Sequence, residues 1–181
     1  MKYQTIVADP PWPVGTATSA TTLRSPLKDD LPYHTMTIED IVEFPIDKFA
    51  AENSLLFLWA TNGKIDGRAV MDIAFDVVKA WDFRYDSIIT WVKNRPMSFW
   101  SPIMSTTEHV VFAWKGKQPL DYLAKMKSVF EAPWRGHSVK PVEFYKLLAE
   151  WTPEPRVDLF ARAPHNGFDG WGDEFGVKPH E

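Results

Sequence analysis

The run Ser54-Leu55-Leu56-Phe57-Leu58-Trp59-Ala60 leaves this chain few ways to fold. Six consecutive apolar residues without polar alternation describe a strand covered on both faces, which requires a sheet with a packing layer on each side. A shorter run, Tyr3 to Ala8, reads as a second buried strand that must stop at Asp9, because the following Pro10-Pro11 cannot continue a ladder. Further strands are expected over Asp86 to Val92, His109 to Trp114 and Val157 to Ala161. Helices should alternate with them. Ile65, Ala69, Ile73, Val77 and Val78 predict one within 63–81, and Pro141 followed by Phe144, Leu147, Leu148 and Trp151 predicts another. Thr37 before Ile38-Glu39-Asp40 is an N-cap signal for a short helix disturbed near Pro45.

Strands alternating with helices give an α/β fold: a mostly parallel twisted sheet with helices on both faces, in a single domain over 1–181. The stretch 117–133 shows no clear period, 13–32 and 94–107 read as loops, and the chain from Arg162 onward reads as irregular. Ligands of such sheets bind beyond the carboxyl ends of the strands. Three segments fall there: Asp9 to Trp12, the loop after Val92, and Arg162 to Glu174.

Composition narrows the chemistry. The chain has no cysteine, so disulfides, iron–sulfur ligation and cysteine nucleophiles are excluded. Nine Trp and fifteen Pro favour aromatic stacking surfaces and rigid loops. Apolar runs are far shorter than the roughly 20 residues that span a bilayer, and no signal-peptide pattern opens the chain. A cytoplasmic protein without a membrane partner is the expectation. The formal charge is −4, yet Trp91 to Lys140 carries eight basic residues against three acidic ones. A basic stretch inside an acidic chain is either a solvated face or a footprint for nucleic acid.

Asp9-Pro10-Pro11-Trp12 is the string that carries chemistry. An exocyclic aromatic amine such as adenine N6 is a poor nucleophile, because its lone pair is delocalised into the ring. Two hydrogen bonds accepted from its N–H groups would localise that pair and aim it. Asp9 offers a carboxylate and Pro10 a backbone carbonyl, while Trp12 offers a flat platform for a base, a contact worth about 1–3 kcal/mol. A base inside a duplex could not reach such a site, so the target would be flipped out or single-stranded.

With this element in place the chain resembles the MT-A70 family of adenine-N6 methyltransferases, whose signature is the DPPW string. Further resemblances follow in order: Leu31 to Met36, Leu56 to Trp59, Trp91-Val92-Lys93, Glu108-His109, Glu131-Ala132-Pro133 through His137-Ser138 to Lys140-Pro141, Asp158 to Arg162, and Trp171 to Glu174. The resemblance implies a Rossmann-like methyltransferase fold whose catalytic motif precedes the main cofactor-binding segment, and S-adenosyl-L-methionine as cofactor, with no metal. It implies Asp9, Pro10, Pro11 and Trp12 as the catalytic element, with Asp9 also near the cofactor's amino group. Lys140 would meet the cofactor's methionine or ribose end, Arg162, His165 and Asn166 would line its ribose and adenine, and Asp173 and Glu174 would close over it. Asp173 stands where family members commonly have Asn, and only eight residues precede Asp9, so part of the adenine pocket must come from elsewhere.

For the nucleic acid, Tyr33, Lys93, Trp100, Trp134 and Arg135 are the candidate contacts. DNA is favoured over RNA by analogy with small bacterial or phage enzymes, and a homodimer or partner subunit would widen the recognition surface. Two other readings stand beside this one: a catalytically silent nucleic-acid-binding subunit, and methylation of another amine such as cytosine N4. Trp rather than Tyr at position 12 favours adenine.

Overall fold

A computed structural model describes residues 1–14, 35–94, 103–117, 126–136 and 139–172. In chain order the elements are β1 (Tyr3–Ala8), α1 (Ile38–Val42), a 3₁₀ turn (Ile46–Lys48), β2 (Ala50–Ala60), β3 (Lys64–Ile65), β4 (Arg68–Ala69), α2 (Val70–Ala80), β5 (Arg84–Lys93), β6 (Thr107–Lys115), β7 (Val129–Ala132), α3 (Val142–Trp151), β8 (Arg156–Leu159) and β9 (Asp169–Trp171). Seven strands form one sheet in the order β7-β5-β6-β2-β1-β8-β9. The pairings β1–β2, β1–β8, β5–β7 and β8–β9 are parallel, whereas β6 is antiparallel to both its neighbours. The sheet is thus mostly parallel, with one reversed strand near its middle.

Both faces are buried, as the run at 54–60 requires. Leu56, Leu58 and Ala60 face a core with Ile6, Ala8, Ile41 of α1 and Ile73, Val77 and Val78 of α2. Leu55, Phe57 and Trp59 alternate to the other face, where they join Val7, Ile89, Trp91, Val110 and Phe112 beneath Phe144, Tyr145 and Leu148 of α3. Thr37 caps α1 by accepting from the Asp40 N–H at 3.0 Å. Among the described residues, no helix is long and apolar enough to cross a membrane.

Four elements differ from the sequence expectation. The helix expected within 63–81 starts only at Val70, because β3 and β4 form a tight ribbon turned by Asp66 at φ 49° and Gly67 at φ 84°. Ile65 and Ala69 belong to that ribbon. A strand, β7, emerges from 117–133, completed by parallel pairing of Val129–Ala132 along β5. The last expected strand ends at Leu159, since Phe160 adopts a left-handed φ of 63°. Beyond it the chain is not irregular throughout: Asp169–Trp171 returns as β9 beside β8. Pro141 sits one residue before α3, at its N-cap position. The expected 13–32 loop lies outside the described residues from position 15 onward.

Gly172 marks the tightest approach between the two last segments. A Cβ there would lie 2.6 Å from the Ala161 carbonyl oxygen and 2.9 Å from the Ala161 nitrogen. Gly172→Ala should therefore lower the free energy of unfolding by roughly 1–3 kcal/mol through forced backbone displacement, measured by urea denaturation. An unchanged midpoint would contradict this contact.

Candidate active site

The site is an extension of the core by one step of strand alternation. Successive side chains point to opposite faces, so Asp9 falls on the face of Val7, Glu108 on that of Val110, and Lys93 on that of Trp91. All three lie just beyond apolar layers covered by α3. Glu108 reaches the carboxyl edge only because β6 runs backwards, which puts its first residues beside the last residues of β5 and β2. Lys140 enters from the segment that leads into α3.

These four side chains form a row of alternating charge. The Lys93 ammonium bonds Glu108 Oε1 at 2.5 Å, Lys140 Nζ lies 3.1 Å from Glu108 Oε2, and the same Nζ lies 3.2 Å from Asp9 Oδ1. Side-chain exposures are 5% for Lys93, 18% for Glu108, 8% for Lys140 and 13% for Asp9, so water does little to screen the row. Lys140 Nζ also stands 4.9 Å from the centre of the Trp59 ring, a cation–π contact that gives the buried ammonium a floor.

Burial pushes the Asp9 carboxyl above its ordinary pKa; Lys140 and Arg162 pull it back and the Glu108 charge adds to the rise. For Glu108 burial also works upward, but the Lys140 and Lys93 charges overcome it and hold the group below the usual range. Lys140 is raised: burial opposes its charge, and Asp9 and Glu108 outweigh burial. Two carboxylates thus share one lysine with opposite outcomes: burial prevails at Asp9, and the second lysine helps to overcome it at Glu108.

A second polar group adjoins the row. Asp158 of β8 lies opposite Val7, is buried, and its Oδ2 is 2.9 Å from His165 Nδ1. The His165 ring stacks on Tyr145 of α3 with centroids 3.4 Å apart and planes within 6°. Burial, followed by the Asp158 and Asp9 charges, pushes the Tyr145 phenol well above its ordinary pKa, so it stays a neutral hydroxyl.

Among the sequence-predicted residues, the structure brings Asp9, Lys140 and Arg162 into mutual electrostatic reach. It sets His165 against Asp158 on the same face, with Asn166 exposed in the turn that follows. Trp12 departs from expectation. Its side chain is 3% exposed, packs in the core on the α1 and α2 side, and donates from Nε1 to the Trp59 carbonyl at 3.0 Å. It anchors the motif to β2 and presents no open platform for a base. The Pro10 carbonyl already accepts from the Trp12 N–H at 2.7 Å, which leaves it one lone pair for a ligand. The Pro11 carbonyl accepts from the Met36 N–H at 3.1 Å.

Lys93 was expected at the nucleic acid, but it is buried and committed to Glu108, which places it inside the charge row. Trp134 is half-buried, its backbone N–H held by Asn94 Oδ1 at 3.0 Å, and Arg135 is exposed with both terminal nitrogens on the Glu143 carboxylate at 2.7 and 2.6 Å. Tyr33, Trp100, Asp173 and Glu174 lie outside the described residues. The sequence reading did not single out Glu108, Asp158, Trp59 or Tyr145 as site residues. The available signal was an acid on the inward face of each of two otherwise apolar strands.

The donor set suits a zwitterionic cofactor with a sulfonium. Asp9 can meet a cationic group, and the Lys140 ammonium has three protons, of which the two carboxylates use two. His165 Nε2 and the Asn166 amide are suited to hydroxyl or ring-nitrogen partners.

Residues 3–174 match the sequence profile of the family MT-A70. The chain is similar to the type II methyltransferase M.MunI of Mycoplasma sp, 26% identical over 190 residues that cover 96% of this chain and 78% of that one. It is also similar to the N(6)-adenosine-methyltransferase catalytic subunit METTL3 of Homo sapiens, 28% identical over 94% of this chain and 27% of that protein. A putative N(6)-adenosine-methyltransferase MT-A70-like protein of Medicago truncatula is 27% identical over 94% of this chain and 25% of its own length. The chain therefore spans about a quarter of the length of these plant and human relatives.

Trp12→Phe should cost roughly 2 kcal/mol of unfolding free energy, because it removes the indole donor from the buried Trp59 carbonyl and leaves a cavity. Denaturant titration measures it. A variant of unchanged stability with weakened nucleic-acid binding would instead return Trp12 to the role of base platform.

Proposed function

Because the chain belongs to the MT-A70 family, we propose that it methylates the N6 amine of adenine in nucleic acid, with S-adenosyl-L-methionine as methyl donor. The observation that carries this reading is the Asp9 carboxylate, mostly buried at the carboxyl edge of the sheet and kept ionisable by a buried lysine. The similarity to N(6)-adenosine-methyltransferases supports the acceptor. DNA is taken ahead of RNA by analogy with small bacterial or phage enzymes.

When bound, the cofactor supplies a methyl group on a positive sulfur, already activated for transfer. What remains for the protein is to present the amine. Asp9 accepts one N–H of the adenine amine and the remaining lone pair of the Pro10 carbonyl accepts the other, which returns electron density to N6 and fixes its direction. After methylation the nitrogen is cationic, and Asp9 takes its proton; a carboxylate whose basicity is raised by burial suits that task. Lys140, Arg162, His165 and Asn166 hold the cofactor, and Asp173 and Glu174 are assigned to its closure. Trp134 and Arg135, with Tyr33 and Trp100, are assigned to the nucleic acid. Arg135 must leave Glu143 to meet a phosphate.

The test is transfer of labelled methyl from S-adenosyl-L-methionine to unmethylated DNA and RNA, with nucleosides identified by mass after digestion. N6-methyladenine should appear, more from DNA, and Asp9→Asn should reduce the rate by at least about 10²-fold. Cofactor binding by calorimetry without transfer to either polymer would count for another acceptor or a required partner. Absence of cofactor binding would favour a silent subunit.

A further inference from the structure

Lys140 does not belong to Asp9 alone. Its ammonium is divided between Asp9 Oδ1 at 3.2 Å and Glu108 Oε2 at 3.1 Å, and Glu108 is itself held by Lys93 at 2.5 Å. A lysine paired only to Asp9 would deepen the carboxylate's ionisation and make it a poor proton acceptor. No lysine at all would leave Asp9 protonated in its buried setting, with no lone pair to offer an amine. The intermediate condition needs a competitor for the lysine. From this geometry we propose that Glu108 is a positioning residue that sets the basicity of Asp9 by sharing Lys140, and that Lys93 is the counter-charge that keeps Glu108 ionised in place.

The proposal rests on the methyltransferase reading only for the identity of the proton that Asp9 takes. The coupling itself is a property of the row. Every charged or titratable group that faces Asp9 enters its balance: Lys140 before α3, Glu108 of β6, Arg162 after β8, Asp158 of β8 with its His165 partner, and Tyr145 of α3. Of these, Glu108 contacts the same ammonium as Asp9 from the far side. Its removal leaves all three Lys140 protons to Asp9 and the cofactor. Loss of Lys93 has the opposite sense: Glu108, with half its hydrogen bonding gone, draws Lys140 toward itself and away from Asp9.

The experiment follows the Asp9 carboxyl by NMR through a pH titration of protein labelled with ¹³C at aspartate carboxyls, its resonance identified by its absence in Asp9→Asn. Glu108→Gln should lower the Asp9 midpoint by about one pH unit, and Lys93→Met should raise it by a similar amount. Lys93→Arg keeps the charge and should leave it near the wild-type value. The acid limb of the methyl-transfer rate should move with the NMR midpoint in each variant. Opposite shifts are the signature, since a purely structural role would lower stability in both variants without moving the midpoint in opposite directions. Glu108→Gln is isosteric and decides the matter alone if Lys93→Met does not fold: an Asp9 midpoint that stays put or rises overturns the proposal. NMR shifts as expected in a protein that neither binds S-adenosyl-L-methionine nor transfers methyl would uphold the coupling and overturn the methyltransferase reading instead.

Discussion

One buried ammonium organises the edge of this sheet. Lys140 lies on the Trp59 ring with Asp9 on one side and Glu108 on the other, and each partner is delivered by a different strand. Taking these charges out of water costs several kcal/mol per ion, which is recovered only if all partners stay in hydrogen-bond geometry. The positions of β1, β2, β6 and the entry to α3 are therefore coupled through one nitrogen. Breaking such a buried set from one side typically costs about 3–5 kcal/mol, whereas replacing it whole by apolar residues of similar volume is often neutral or favourable. A charge row of this kind is a poor device for stability. What accounts for it is the state in which it holds Asp9.

Core and site are built by the same periodicity. Val7 and Asp9, Val110 and Glu108, Trp91 and Lys93 are each two residues apart, so every charge stands one layer beyond a side chain fixed by packing under α3. A one-residue slip of any of these strands would turn its charge to the opposite face and bring apolar groups out of the core with it. Precise placement of the charged groups thus follows from apolar burial. The reversed β6 is the topological feature that makes this work, because its amino-terminal end brings Glu108 to an edge shared with the carboxyl ends of β5 and β2.

Much of this was legible in the residues. The continuous run at 54–60 required a two-sided sheet, the Phe144 and Leu148 spacing located α3, and Thr37 marked the start of α1. Asp9 and Lys140 were both singled out, and they meet. What sequence could not convey was partnership. β7 and β9 are four and three residues long and exist through parallel pairing with β5 and β8, a non-local interaction with no period of its own. Ile65 and Ala69 fitted a helical spacing by coincidence, because a positive φ at Asp66 and Gly67 is invisible to hydrophobic periodicity. Residue type suggests a stacking ring for Trp12 and a nucleic-acid contact for Lys93. Burial reassigns both, one to the core and one to the charge row.

The two acids in this edge show why residue type alone underdetermines chemistry. Asp9 and Glu108 are both buried carboxylates touching the same lysine, yet one is held above its ordinary range and the other below it. The difference lies in what stands behind each. Glu108 has Lys93 at its second oxygen, whereas for Asp9 burial outweighs the charges of Lys140 and Arg162 and the Glu108 charge adds to the rise. An acceptor that must hold an N–H while ionised and then take a proton has to sit between those limits, and environment alone places it there. In the proposed reaction Asp9 is consequently the member of the pair suited to proton transfer, and Glu108, locked between two lysines, is the one suited to hold the geometry still.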